Sequence, residues 1–409
     1  MQQTLLIIGY VWPEPTSSAA GSRIIQLIHW AQSAGYRVLF GSAAERGDTA
    51  EDLDALGVES VPLALNCSSF DRLVSALQPA VAIFDRFVTE EQFGWRLADA
   101  SPGTLRVLDT EDLHCLRAGR EQAIKAGRPV LDLADEDLFT ELARRELAAI
   151  YRCDLSLMIS DAEIALLVQR MGVPESLLHH CPFMETPVSG ETLKGFDDRA
   201  HMVFIGNYRH APNWDAVRYL REIWPAIRRA LPDAEMHVYG AYQPKKALQL
   251  HSDALGFLIK GWARQARETL GQYRLCVAPL RFGAGIKGKL ADAWATGTPS
   301  VTTAIGAEGM GQGEWPGGLV DRREQWAQVI VGLYTQRSAW NAAQRAALQR
   351  FNQLFDCGLR QAELSACIDT LRAQLTQHRQ RNIVGAILHE QKHRSTEFMS
   401  RWIEAKSQP

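Results

Sequence analysis

The chain has 409 residues, 46% of them hydrophobic, enough for two α/β domains of ordinary size. A formal net charge of −3 gives no reason to expect a nucleic-acid partner. Seven cysteines without a CxxC pair or metal-ligand spacing argue against a disulfide scaffold and fit a reduced, cytoplasmic protein.

In chain order, the opening MQQTLLIIGYVWPEP lacks the basic start of a signal peptide and reads as a strand, Leu5 to Ile8, running into a Pro-rich loop. Apolar residues at Ile24, Ile25, Leu27, Ile28 and Ala31, closed by Gly35, predict a helix, and RVLFGSA predicts the next strand. Strands are expected at AVAIFD (80–85), LRVLD (105–109) and LSLMIS (155–160). DLADEDLFTELARRELAAIYR between the last two reads as one long charged helix. Glu185 to Arg199 is polar and strand-poor, a hinge. The opening plan then returns: MVFIGNY, a helix through NWDAVRYLREIWPAIRRAL, and the strand EMHVYGA, followed by LIKGW, LCVAPL and PSVTT. Two βαβ openings about 200 residues apart predict two doubly wound α/β domains. No run approaches the length of a transmembrane helix, so a soluble chain is expected, with peripheral contact at a membrane left open.

RFGAGIKGK, 281–289, lies between an apolar strand and a helix. Three glycines let the backbone approach a ligand and turn N–H groups toward it. The helix adds its positive end, and Lys287 and Lys289 add cationic heads, a cradle suited to a diphosphate. Gly283, Gly288 and Lys289 fit the start of a Walker A loop, but Leu290 stands where the Mg²⁺-binding hydroxyl is needed, which argues against an ATPase. A second loop, GNYRHAPNW, offers Gly206 and Asn207 at a strand end and Arg209 or His210 within reach of an oxygen. In open α/β sheets such loops line one crevice. LDTEDLHCLRAGRE places Asp109, Glu111, Asp112 and His114 just beyond a strand. Glu111, Asp112 and His114 could serve as a base or hold sugar hydroxyls, or Asp109 and Asp112 could simply cap the next helix. Two matches are set aside. VAIFD resembles a Walker B strand but precedes the glycine loop, and the metal-like DLD at Asp52–Asp54 falls in a stretch expected to be helical.

VAPLRFGAGIKGKLADAWATGTPSVTTAIGAEGM resembles the donor segment of GT-B fold glycosyltransferases of the GT4 (glycosyl transferases group 1) grouping. VFIGNYRHAPNWDAVRYLREIWPAI resembles the start of their C-terminal domain, and VLDTEDLHCLRAGRE an N-domain segment of one bacterial branch. The resemblance implies two Rossmann-like doubly wound domains facing a central cleft, with C-terminal helices. Residues 1–184 would form the acceptor-side domain, 185–200 the hinge, 201–355 the donor domain and 356–409 a helical extension. It implies a nucleotide-sugar donor used as substrate, no separate cofactor, no metal ion and retention of configuration, with a glycan, lipid-linked or other acceptor.

Carried onto these positions, the resemblance puts the donor diphosphate against Gly206, Asn207, Arg209, Gly285, Lys287 and Lys289. It puts the base at Gly261, Trp262 and Ala263, and the ribose on Asp292. Ala307, Glu308 and Gly309 would close on phosphates and sugar, while Gly21, Ser22 and Arg23 would form the acceptor-side loop. This chain departs from the pattern at Ala284, which replaces the first glutamate of a Glu-x7-Glu pair, at Asn207 and Asn213, where relatives are often basic, and at Glu111, where a histidine is common. Two other readings stay open: a GT-B nucleotide-sugar epimerase and a non-catalytic nucleotide-sugar-binding subunit.

In the tail, Ile383, Val384, Ile387 and Leu388, then Phe398, Met399, Trp402 and Ile403, recur at helical spacing among Arg379, Arg381, Lys392, His393, Arg394, Arg401 and Lys406. The polar gap from His389 to Glu397 favours helices packed on the first domain over an interfacial patch for anionic lipid.

Overall fold

The computed structural model describes residues 2–311 and 313–407, without the side chains of 391–396. Lys392, His393 and Arg394 therefore lie outside the described side chains. The chain divides into two compact units: residues 1–115, 139–184 and 358–409, and residues 116–138 and 185–357.

The first unit is built on β1 (Thr4–Gly9), β2 (Arg37–Ser42), β3 (Glu59–Pro62), β4 (Val81–Asp85), β5 (Leu105–Asp109), β6 (Leu155–Met158) and β7 (Leu178–His180). They form one parallel sheet in the order β3-β2-β1-β4-β5-β6-β7. Its central strands are buried end to end, as expected when helices cover both faces of a parallel sheet. The second unit carries β8 (Ala200–Ile205), β9 (Met236–Tyr239), β10 (Phe257–Gly261), β11 (Tyr273–Ala278), β12 (Ser300–Thr302) and β13 (Gly317–Leu319), parallel in the order β10-β9-β8-β11-β12-β13. In each sheet the order of connection reverses once, between β1 and β4 and between β8 and β11. In open α/β sheets the C-terminal strand ends at such a reversal are where ligands bind.

Several sequence expectations are corrected. The long helix after residue 131 is two pieces, Asp135–Leu138 and Glu141–Arg152, because the Thr140 hydroxyl accepts from the Ala143 N–H and starts a new helix. Asp52–Asp54 lies in loop and turn rather than helix. β3, β7 and β13 were not anticipated, being short edge strands of weak composition (ESVP, LHH, GGL). The stretch expected as a hinge has only a short 3-10 turn, Gly190–Thr192. At its start Glu185 pairs backbone to backbone with Phe355 and Cys357.

The tail is helical, Leu375–Arg381 and Ile383–Ser407, and the second helix packs on helices Glu141–Arg152 and Arg86–Ala100 of the first unit. The expected inward face is reversed, however. Ile383, Val384, Ile387, Phe398, Met399, Trp402 and Ile403 are exposed, and polar residues make the contacts.

Candidate functional site

In the second unit, the loops following β8 and β11 leave neighbouring strands at the reversal point. Gly206 ends β8 so close to the helix behind it that an added Cβ would lie 2.7 Å from the Asn213 side chain. Asn213 joins the two loops. Its amide donates to the Asn207 carbonyl at 2.9 Å, and its Oδ1 accepts from Lys289 Nζ at 2.8 Å. The Asn207 side chain accepts from the Arg209 N–H at 2.8 Å, and the exposed Arg209 guanidinium lies 3.7 Å from the centre of the Tyr242 ring.

The glycine loop turns through Gly285 at φ +63°, a left-handed conformation that costs a glycine little. Lys287, nearly buried, donates to the Gly285 carbonyl at 2.6 Å and holds that turn. Burial, reinforced by the charge of Lys287, lowers the Lys289 ammonium to about 8. Lys289 is thus a cation held at a desolvation cost that an anionic ligand would relieve. Two helices start beside it, Ala211–Ala230 and Gly288–Ala295. Neither N-cap residue, His210 nor Lys287, caps the first turn with its side chain. The positive ends of two helices and two lysines at one sheet end suit phosphate oxygens.

The other residues expected on the donor side lie in the same unit. Gly261 ends β10 at φ +81°, Trp262 beyond it is 43% exposed, and Ala263 is buried. Asp292, expected to hold a ribose, accepts from Arg267 Nε at 2.7 Å, and Arg267 also donates to Glu185 at 3.0 Å. Ala307, Glu308 and Gly309 follow β12.

Sequence reasoning missed Arg120, which belongs to the second unit. Its buried guanidinium donates to the Gly283 carbonyl at 2.8 Å and to both carboxylate oxygens of Glu308 at 2.6 Å. Burial pushes the Glu308 carboxyl upward, but the bonds and charge of Arg120 outweigh it and hold the group below its ordinary value. Arg120 therefore fixes the glycine loop and the loop after β12 to one rigid fork. Its partners lie 163 and 188 positions away, so nothing local signals the role. Arg281, at the head of the glycine loop, is likewise tied to Asp215, with Nε donating at 2.8 Å.

The first unit places a different chemistry at its own reversal point. Gly21 sits in the first turn of helix Ala19–Ser33 against the backbone of Glu14, and the Ser22 hydroxyl donates to the Pro15 carbonyl at 3.1 Å. Arg23 departs from its expected acceptor-side role. It is fully buried, with Nε donating to both oxygens of Asp109 at 2.8 and 3.0 Å and Nη1 to the Cys181 carbonyl at 2.6 Å. Asp109 therefore braces Arg23 and does not cap the following helix. That N-terminus is held instead by Glu146, which accepts from the N–H groups of His114 and Cys115 at 2.7 Å each, and by Glu163, which accepts from Leu113 at 3.0 Å. Burial raises Glu146 to about 7, against the pull of those bonds.

Just beyond β4 and β5 stand two left-handed non-glycine residues, Arg86 at φ +70° and Glu111 at φ +61°. Such strained backbone persists where the surrounding structure enforces it, often at binding sites. Burial first, then the charge of Asp109, raises Glu111 well above the usual carboxylate range; burial likewise raises Asp85. His114 Nε2 is 3.6 Å from Asp112, and its ring meets Phe87 edge-on with centroids 5.4 Å apart. Glu111, Asp112 and His114 thus gather at one strand end. Among the described residues no group of three or more His, Cys, Asp or Glu is placed to hold a metal ion, Asp52–Asp54 included.

The fold matches solved glycosyltransferases along nearly its whole length. A sucrose-phosphate synthase from Thermosynechococcus elongatus aligns over 91% of this chain and 100% of its own, at 14% identity and a TM-score of 0.69. HepE from Anabaena, in complex with UDP and glucose, aligns over 90% and 100% at 14% identity and 0.68. WaaG, a glycosyltransferase involved in lipopolysaccharide biosynthesis, aligns over 89% and 99% at 13% identity and 0.62. No curated protein sequence matches the chain. The architecture is that of the GT-B glycosyltransferases. Within it, residues 199–336, which contain both lysine-side loops, match the family model described as Glycosyl transferases group 1.

Proposed function

We propose that this chain is a retaining, GT4-like glycosyltransferase that moves a sugar from a nucleoside diphosphate to a glycan or lipid-linked acceptor without a metal ion. The observation that carries the reading is the junction of the two second-unit loops, where Lys289, Lys287 and the starts of two helices meet at one sheet end. The group 1 match over this segment and the UDP bound by HepE support a nucleotide-sugar ligand.

In this reading Lys289, Lys287, Arg209 and the backbone N–H groups hold the diphosphate, Trp262 with Gly261 and Ala263 meets the base, and Asp292 faces the ribose. The bond between the anomeric carbon and the diphosphate oxygen breaks. The acceptor hydroxyl bonds to that carbon on the same face, and the departing oxygen takes the hydroxyl proton. Charge on the leaving group peaks in the transition state, where fixed cations contribute most. Burial and the neighbouring Asp109 charge favour the protonated form of Glu111, which can both donate to and accept from hydroxyls. With Asp112 and His114 it is assigned to sugar hydroxyls, and Gly21 and Ser22 to the acceptor side.

The test incubates UDP-, GDP-, dTDP- and ADP-sugars with and without glycan and lipid-linked acceptors, with and without EDTA, and reads the product anomer by NMR. Acceptor-dependent product of unchanged anomeric configuration in EDTA is expected. Conversion of donor without acceptor would establish an epimerase, and tight donor binding with no turnover under any acceptor would establish a binding subunit. A requirement for Mg²⁺ or Mn²⁺ would overturn the metal-free mechanism.

A further inference from the structure

The C-terminal helix Ile383–Ser407 is attached to the first unit by its polar side. Just before it, Asn382 donates to the Tyr151 carbonyl at 2.7 Å, and Gly385 passes so near that carbonyl that a side chain would collide with it. His389 Nε2 lies 2.9 Å from the Arg152 carbonyl, and burial, together with the adjacent Arg106 charge, lowers its imidazole to about 4, so it sits there uncharged. Further along, Ser400 accepts from Arg96 at 3.2 Å and donates to Asn66 at 2.9 Å, and Glu404 accepts from the Ser68 N–H at 3.2 Å.

At 3.6 residues per turn, Val384, Ile387, Phe398 and Trp402 fall on the side opposite Ser400 and His389. They are 46%, 50%, 64% and 55% exposed, with Ile383 and Met399 on the flanks. A helix packed on a protein body ordinarily turns its apolar stripe inward. Here the stripe faces out as two apolar clusters, one at Ile383, Val384 and Ile387 and one at Phe398, Met399 and Trp402, and exposed apolar clusters mark interaction surfaces.

The charge identifies the occupant. Over 375–407 Lys and Arg outnumber Asp and Glu six to three, in a chain whose net charge is −3. Of the three acids, Glu404 accepts from Ser68 and Glu397 pairs with Arg401 at 2.5 Å, while Glu390 is exposed; among the cations, Arg379 is held by the buried Asp154. Lys406 Nζ stands 3.9 Å over the Trp402 ring, joining a cation to an aromatic on the outward face. A seam for a second copy of the chain would run unbroken, whereas the polar stretch from His389 to Glu397 interrupts this one and brings Lys392 and Arg394. No helix among the described residues is long and apolar enough to cross a membrane.

We propose that the outward face of helix Ile383–Ser407 docks on an anionic lipid surface, lying in the interface with Val384, Ile387, Phe398 and Trp402 inserted and basic side chains on the headgroups. Burying an apolar face draws the helix in, and anionic headgroups add attraction for each cation near the surface. The inference is independent of the transfer reaction, since it is read without donor.

The test sediments the full chain with phosphatidylcholine vesicles and with vesicles holding 30% phosphatidylglycerol (about one anionic lipid in three, a strongly charged surface). Binding to the anionic vesicles, weakened by salt, is expected. Phe398→Ser/Trp402→Ser should lower that binding at least about tenfold, with Tm little changed because both side chains are more than half exposed. Equal binding by both proteins, or none by the natural chain, overturns the proposal. So does a dimer in sedimentation velocity that the double variant converts to monomer, which would make a second copy the occupant.

Discussion

The two sheets share a topology and differ in what they present where strand order reverses. Beyond β8 and β11 stand Lys287, Lys289 and Arg209 beside two helix starts. Beyond β4 and β5 stand Asp85, Glu111 and Asp112, with Asp109 turned inward to the buried Arg23. In the proposed reading the same backbone plan serves an anion in one unit and sugar hydroxyls in the other. The loops, not the strands, assign the ligand.

Arg23→Ala should give the largest effect, since it leaves the Asp109 carboxylate buried without its partner: a stability loss of about 3–5 kcal/mol in urea unfolding. If Arg23 is a brace, donor affinity of the folded fraction stays unchanged. A loss of acceptor affinity without loss of stability would return it to the ligand side. Lys289→Ala should lower kcat about 100–1,000-fold, the range seen on removing one preorganised charge-stabilising donor, with a smaller change in donor Kd. Equal losses in both would mean that the lysine binds the ground state only.

Much of this contrast was legible in the sequence. Short apolar runs gave the central strands, and the glycine loop with its lysines stood out because its signal is local. The rest depends on distance. Arg120 finds Gly283 and Glu308 only in the folded chain, Glu146 and Glu163 cap a helix from elsewhere, and Arg23 is spoken for by Asp109. The tail helix was readable as amphipathic, but which face packs is set by Tyr151, Arg152 and Asn66, none of them in the tail.

Arg120→Lys, which keeps the charge and loses the planar fork, should raise donor KM about tenfold through the loosened loops. It should move kcat less than Lys289→Ala does. An unchanged KM would mean that the two loops hold their geometry without the fork. The smallest effect expected is in pH. Because burial lowers Lys289 to about 8, the free enzyme loses this cation as pH rises through that value, and kcat/KM should fall above it. A bound diphosphate favours the protonated amine, so the falling limb of kcat should lie at higher pH. Coincident limbs would separate Lys289 from the phosphate.

The central claim, that the second unit's lysine loops hold a nucleoside diphosphate, is tested most directly by calorimetric titration of UDP, GDP, dTDP and ADP into the natural chain and Lys289→Ala, in EDTA. The account predicts that one nucleotide binds the natural chain, with affinity reduced in the variant. At a hundred times its Kd that nucleotide should also stabilise the fold by about 2.7 kcal/mol. Binding of none of the four, or identical affinity in both proteins, would contradict it.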